Sequence, residues 1–87
     1  MENDIVKAKV RQYLGSHMRI FRHHKALSQD AMADRLHVSQ RALGKLENGV
    51  NTFSLLTFVR FYCIMDKEEQ TPFLQGLCGI IIECDEE

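Results

Sequence analysis

The chain has 87 residues, 45% of them hydrophobic and 26% charged, with one proline, five glycines and a formal net charge of −1. A chain this short builds one modest core, which excludes an elaborate catalytic cleft beside a separate regulatory domain, and the composition excludes a disordered or collagen-like chain. The charge is unevenly spread: residues 17–46 carry six bases against two acids, and residues 47–87 carry two bases against eight acids. A basic centre with an acidic tail suits a polyanion partner, although a basic stretch is also an ordinary solvated face.

Ile5 or Val6, Val10, Leu14, Met18 and Phe21 recur about every four residues and predict a first helix, capped by Asn3 or Asp4. Gly15 is a point where this helix can split in two. Gly15 to Met18 also spells a common cloning scar, which leaves the origin of residues 1–14 open. Ser28 and Ser39 each precede a helical pattern and are N-cap candidates. In the first of these patterns Met32, Ala33 and Leu36 share a face. In the second, Leu43 and Leu46 point one way and Gln40, Arg41, Gly44, Lys45 and Asn48 the other. Gly49 follows as a left-handed stop.

Ser54 opens a fourth pattern, with Leu55, Phe58, Val59, Tyr62 and Cys63 read as interior and Arg60 as exposed, ending near Asp66. Thr71 and Pro72 read as the cap and first turn of a last helix. From Phe73 to Cys84 the segment is apolar on nearly every side, and the run Ile80 to Ile82 leaves a strand at 79–84 as an alternative. Cys63, Cys78 and Cys84 form no CxxC pair and read as small core hydrophobes in a reduced, cytoplasmic protein; redox sensing by Cys78 or Cys84 is the sharper alternative. His23 and His24 diverge by about 100° on a helix and cannot chelate one metal together. No metal, cofactor, enzyme activity or membrane association is expected.

The segment from Leu27 to Gly49 resembles the helix-turn-helix of the lambdoid phage repressor and Cro (XRE-like) family. The resemblance rests on Gln29 and Gln40 eleven apart, Ala33, Val38 in the turn, and Leu46-Glu47-Asn48-Gly49, with Gly15 and Arg22 upstream. It implies an all-α, five-helix, lambda-repressor-like fold that binds double-stranded DNA. On that reading residues 1–66 form the DNA-binding domain, with a recognition helix at about 40–48, and residues 67–87 a dimerisation helix and acidic tail. Gln40, Arg41 and Lys45 have the length and chemistry to reach base edges in the major groove. By resemblance Gln29, Ser39 and Asn48 are backbone contacts, Gln29 also bracing Gln40, and Arg22 pairs with Glu47 structurally.

Two departures from the family pattern stand out. His37 replaces the glycine common in the turn, where positive φ is often needed. The run after Gly49 lacks the bases that some relatives aim at DNA, which raises the importance of a homodimer. Phe73, Leu74, Leu77, Cys78, Ile81 and Ile82 are the expected dimer contacts. The expected function is sequence-specific transcriptional regulation, as a repressor, by a homodimer bound at a palindromic operator. A protein-interaction module that keeps the fold, or an antitoxin or restriction-modification controller with a partner protein, is the alternative.

Overall fold

The computed structural model describes residues 2–85, so Glu86 and Glu87 of the acidic tail lie outside it. Five α-helices follow in order: α1 (Glu2–His24), α2 (Gln29–Leu36), α3 (Gln40–Glu47), α4 (Leu55–Ile64) and α5 (Lys67–Asp85). There is no strand among the described residues. None of these helices is long and apolar enough to cross a membrane.

The core collects one apolar face from each helix: Leu14, Met18 and Phe21 of α1, Met32, Ala33 and Leu36 of α2, Leu43 and Leu46 of α3, Phe61 of α4 and Phe73 of α5, closed by Phe53 and Met65. Phe61 is at its centre, meeting Phe21 and Phe73 edge to face at centroid distances of 5.6 and 5.5 Å. Such offset contacts add to simple burial because a ring's positive edge meets a negative face.

α1 is one continuous helix that begins at Glu2, ahead of Asn3 and Asp4, and does not split at Gly15. Gly15 is there because α1 crosses the end of α3 backbone to backbone. A Cβ at residue 15 would overlap the Leu46 carbonyl oxygen and lie 2.8 Å from that of Glu47. With Met18 fully buried three residues on, the stretch that spells a cloning scar is part of the packed fold.

Helix α4 packs Phe58 and Tyr62 against the core as the sequence predicts, but the rest of its inward face differs. Thr57 and Phe61 are buried, whereas Leu55 (79% exposed), Val59 and Cys63 face outward. Thr57 is admitted because its hydroxyl accepts a hydrogen bond from Ser54 Oγ at 2.9 Å and its N–H donates to the same oxygen, so no polar group is stranded. Arg60 is half-buried and reaches back to the Leu36 carbonyl at the end of α2.

Helix α5 starts four residues before the Thr71-Pro72 pair. The Asp66 N–H donates to Glu69 Oε1 at 2.9 Å, half of a capping box that starts the helix there. Pro72 then sits inside α5 at the cost of one backbone hydrogen bond to Glu68. Lys25 Nζ, 2.8 Å from Asp66 Oδ2 and 3.5 Å from Glu69 Oε1, ties the end of α1 to this corner. Its hydrogen bond to Asp66 lowers that carboxyl's pKa, and the same bond raises that of Lys25. The helix continues through residues 79–84, which excludes the strand alternative. The cysteines are not core residues: Cys63 and Cys78 are exposed and Cys84 half-buried.

α5 lies antiparallel along α1. The Tyr13 hydroxyl donates to the Phe73 carbonyl at 2.8 Å, and Gly76 makes room for that phenol, which a Cβ would overlap. Burial pushes the Tyr13 phenol pKa up.

Two residues other than glycine end helices in the left-handed region, Ala26 (φ 55°) and His37 (φ 58°). Replacing exposed His37 with glycine should stabilise the chain by about 0.5–1 kcal/mol, because it removes a steric cost of about 1–2 kcal/mol and adds a smaller entropic one. Gly15→Ala should destabilise it by about 2 kcal/mol or more, since backbone must move to admit the methyl. Urea unfolding of both variants checks the pair of signs.

Candidate nucleic-acid interface

The second and third helices start alike. Ser28 Oγ accepts from the Ala31 N–H and Ser39 Oγ from the Ala42 N–H, each at 3.0 Å, and both serines are extended, as N-caps require. Between the helices, His37 takes the left-handed conformation expected at the glycine position, φ 58° and ψ 41°, and the Val38 N–H closes onto the Ala33 carbonyl at 3.0 Å. Val38 packs against the core, so the turn is anchored by an apolar side chain.

Leu43 and Leu46 bury the inner face of α3. Its outer face presents Gln40, Arg41 and Lys45, all exposed, and Gly44 between them, at which an added Cβ would meet nothing within 4 Å. The three sequence-predicted base readers are therefore together on one open helix face. Ser39, Asn48 and Gln29 lie at its edges, the first two exposed and Gln29 half-buried. Gly49 ends the segment at φ 73°.

What holds α3 is a set of arginines on α1. Arg22 Nε donates to Glu47 Oε2 at 2.7 Å and its Nη2 to Oε1 at 3.2 Å, a forked pair that leaves the Glu47 side chain 1% exposed. Arg22 Nη1 also donates to the Leu27 carbonyl, fixing the entry to α2. One turn earlier Arg19 donates to the Glu47 carbonyl and to Asn48 Oδ1, and two turns before that Arg11 Nε donates to the Gly49 carbonyl at 3.2 Å. Arg11, Gly15, Arg19 and Arg22 form one stripe of α1, so the helix meets the carbonyl end of α3 with cations on both sides of a close crossing.

Arg22 and Glu47 pair, as the family resemblance implies. Gln29 differs: its Nε2 donates to Glu47 Oε1 at 3.2 Å, so it braces the end of α3 and not Gln40. Arg19 and Arg11 carry no sequence expectation; each lies four residues from Gly15 on α1, and that spacing is the available signal. Among the expected dimer contacts, Phe73 is in the chain's own core, Leu74 and Leu77 are half-buried against it, and Cys78, Ile81 and Ile82 are exposed. Among the described residues no group of three His, Cys, Asp or Glu side chains is placed to hold a metal.

Two capped helices joined by a tight turn, the second with a dry inner face and a polar outer face, define a DNA-reading module. The chain belongs to the helix-turn-helix domain family, whose match covers residues 13–63. Membership supports a DNA-binding, regulatory role over a catalytic one. Comparisons with curated proteins and with solved structures give no significant match.

Removing one partner of a buried pair is more damaging than its net worth suggests, because the other charge stays buried. Arg22→Ala should therefore cost about 3–5 kcal/mol, and Glu47→Gln, which keeps the shape and a hydrogen-bonding amide, distinctly less. Chemical denaturation of the two variants tests the order; equal losses would contradict it.

Proposed function

We propose that the protein is a sequence-specific DNA-binding regulator of the lambdoid repressor and Cro type, acting as a homodimer on a palindromic operator. The observation that carries this reading is the open outer face of α3, where Gln40, Arg41 and Lys45 surround a glycine with no neighbour. Gln40 matches the N6 and N7 pair of adenine, and Arg41 and Lys45 match the O6 and N7 pair of guanine.

The proposed backbone contacts have donors to spare. Ser39 uses its oxygen as a cap acceptor and keeps its O–H. Asn48 gives Oδ1 to Arg19, leaving both Nδ2 hydrogens, and Gln29 has a second amide hydrogen beyond the one on Glu47. Phosphates are acceptors only, so these orientations suit contacts that set register without reading sequence. For the dimer, Ile81 and Ile82 on α5 are the exposed contacts, with Cys78; Phe73 and Leu77 serve the monomer core first.

Binding-site selection tests the reading. The wild type should yield a two-fold motif, and the Gln40/Arg41/Lys45 triple alanine should lose it at those positions, each contact being worth about 1–3 kcal/mol of discrimination. The same motif at the same affinity from both proteins would remove base reading by α3. Gly44→Ala gives a second check. Alanine in this helix interior should stabilise the free chain by about 1 kcal/mol while weakening DNA binding, because the methyl projects from the face that approaches the groove.

A further inference from the structure

Asn48 is in an unfavourable place for meeting an anion. It follows the last residue of α3, where the helix ends in carbonyl oxygens that together carry roughly half a negative charge, and the neighbouring Glu47 carboxylate adds a whole one. A phosphate drawn to the Asn48 amide alone would be repelled, because anions are stabilised at the opposite end of a helix. The connection from Asn48 to Ser54 contains no base that could reverse the sign.

Helix α1 supplies that reversal. Arg22 cancels the Glu47 carboxylate, and the forked pair leaves their side chains only 13% and 1% exposed. Backbone N–H groups of Asn48, Val50 and Gly49 close the carbonyls of Gly44, Lys45 and Leu46. The Glu47 carbonyl is taken by a side chain instead: Arg19 Nη2 donates to it at 3.3 Å, and donates to Asn48 Oδ1 as well. Two arginines thus stand at one carboxylate, and the surplus positive charge is on Arg19, whose side chain is 47% exposed. Polar donors gather around it from the other two helices. Gln29 Nε2 is 3.2 Å and Arg19 Nε 4.0 Å from the same Glu47 Oε1, with Asn48 next in the chain. Each has hydrogens to spare: one on the Gln29 amide, two on Asn48 Nδ2, and those of Arg19 Nη1, which bonds to nothing among the described residues.

We infer that Arg19 is the cation of a phosphate seat for the DNA backbone, with Asn48 and Gln29 as its neutral donors. The inference rests on the DNA-binding reading above and adds to it a charged anchor from outside the helix-turn-helix itself. Arg19 is a positioning residue: it reads no base, and it fixes the register in which Gln40, Arg41 and Lys45 approach the groove. Its bond to the Glu47 carbonyl and its contact with phosphate are two uses of one guanidinium, so the group that closes α3 also ties that helix to DNA.

Binding of the full chain to its selected operator across a salt series tests this. Arg19→Gln removes the charge and keeps an amide that can still close the Glu47 carbonyl. It should weaken selected and unrelated duplexes by the same factor, about tenfold per bound copy, and make the slope of log K against log salt shallower by about 0.9 per copy, with the selected motif unchanged. Arg19→Lys, which keeps the charge, should keep the slope. Weaker binding by Arg19→Gln at the wild-type slope would show a purely structural role and overturn the phosphate seat, as would an unchanged affinity. Single neutral methylphosphonates placed along the operator then locate the contact. One position in each half-site should weaken the wild type and leave Arg19→Gln unaffected; equal effects on both proteins at every position would overturn the inference. A wild-type chain whose affinity for DNA is independent of salt would instead remove the DNA-binding reading on which the seat depends.

Discussion

Glu47 is a carboxylate withdrawn from water at the last position of α3, and the placement of that helix depends on it. Left alone, a buried carboxylate costs several kcal/mol. Here a forked Arg22 and the Gln29 amide satisfy it, and each comes from a different helix, α1 and α2. The pair therefore contributes more to geometry than to net stability. A placement that parts α1 or α2 from the end of α3 strands the group. α3 is only eight residues long, too short to be stable or fixed in direction by its own hydrogen bonds.

The close crossing at Gly15 works with that carboxylate. With no Cβ on α1 at that point, the α3 carbonyl end comes to backbone distance, where Arg19 and Arg11 reach the Glu47 and Gly49 carbonyls that the helix leaves unpaired. Arg19 also holds the Asn48 amide by its oxygen. One helix thus sets the position of α3, closes its end and orients a side chain at the edge of its outer face. The long α1 that does this continues beyond the crossing to Glu2.

How far the sequence could be read follows from how local each signal is. The two serine caps, the His37 departure and the Gly49 stop are decided within three or four residues, and they were legible. The Arg22 to Glu47 pair was legible only through the family resemblance, since nothing local links positions 25 apart. Hydropathy misjudged α4, where Thr57 is inside and Leu55 outside, because the Ser54 hydroxyl satisfies a threonine that composition alone would place in solvent. It misjudged the start of α5 for a similar reason: Thr71-Pro72 is a strong local signal, but the Asp66 and Glu69 box, held by Lys25 from 41 residues away, starts the helix first. The apolar stretch after Phe73 is legible as a whole. Its division into a core-facing Phe73 and an exposed Ile81 and Ile82 depends on where α1 runs, which no pattern within the segment contains.

The central claim is that α1 fixes α3 so that its outer face is what meets DNA. Amide NMR of the labelled chain, titrated with its selected operator duplex, addresses this most directly. The account predicts that the largest shifts fall on Ser39 to Gly49 and at Gln29, with α4, α5 and residues 2–9 of α1 little changed apart from uniform broadening. Shifts centred on the outer face of α4 or on α5, with residues 40–45 unmoved, would contradict it.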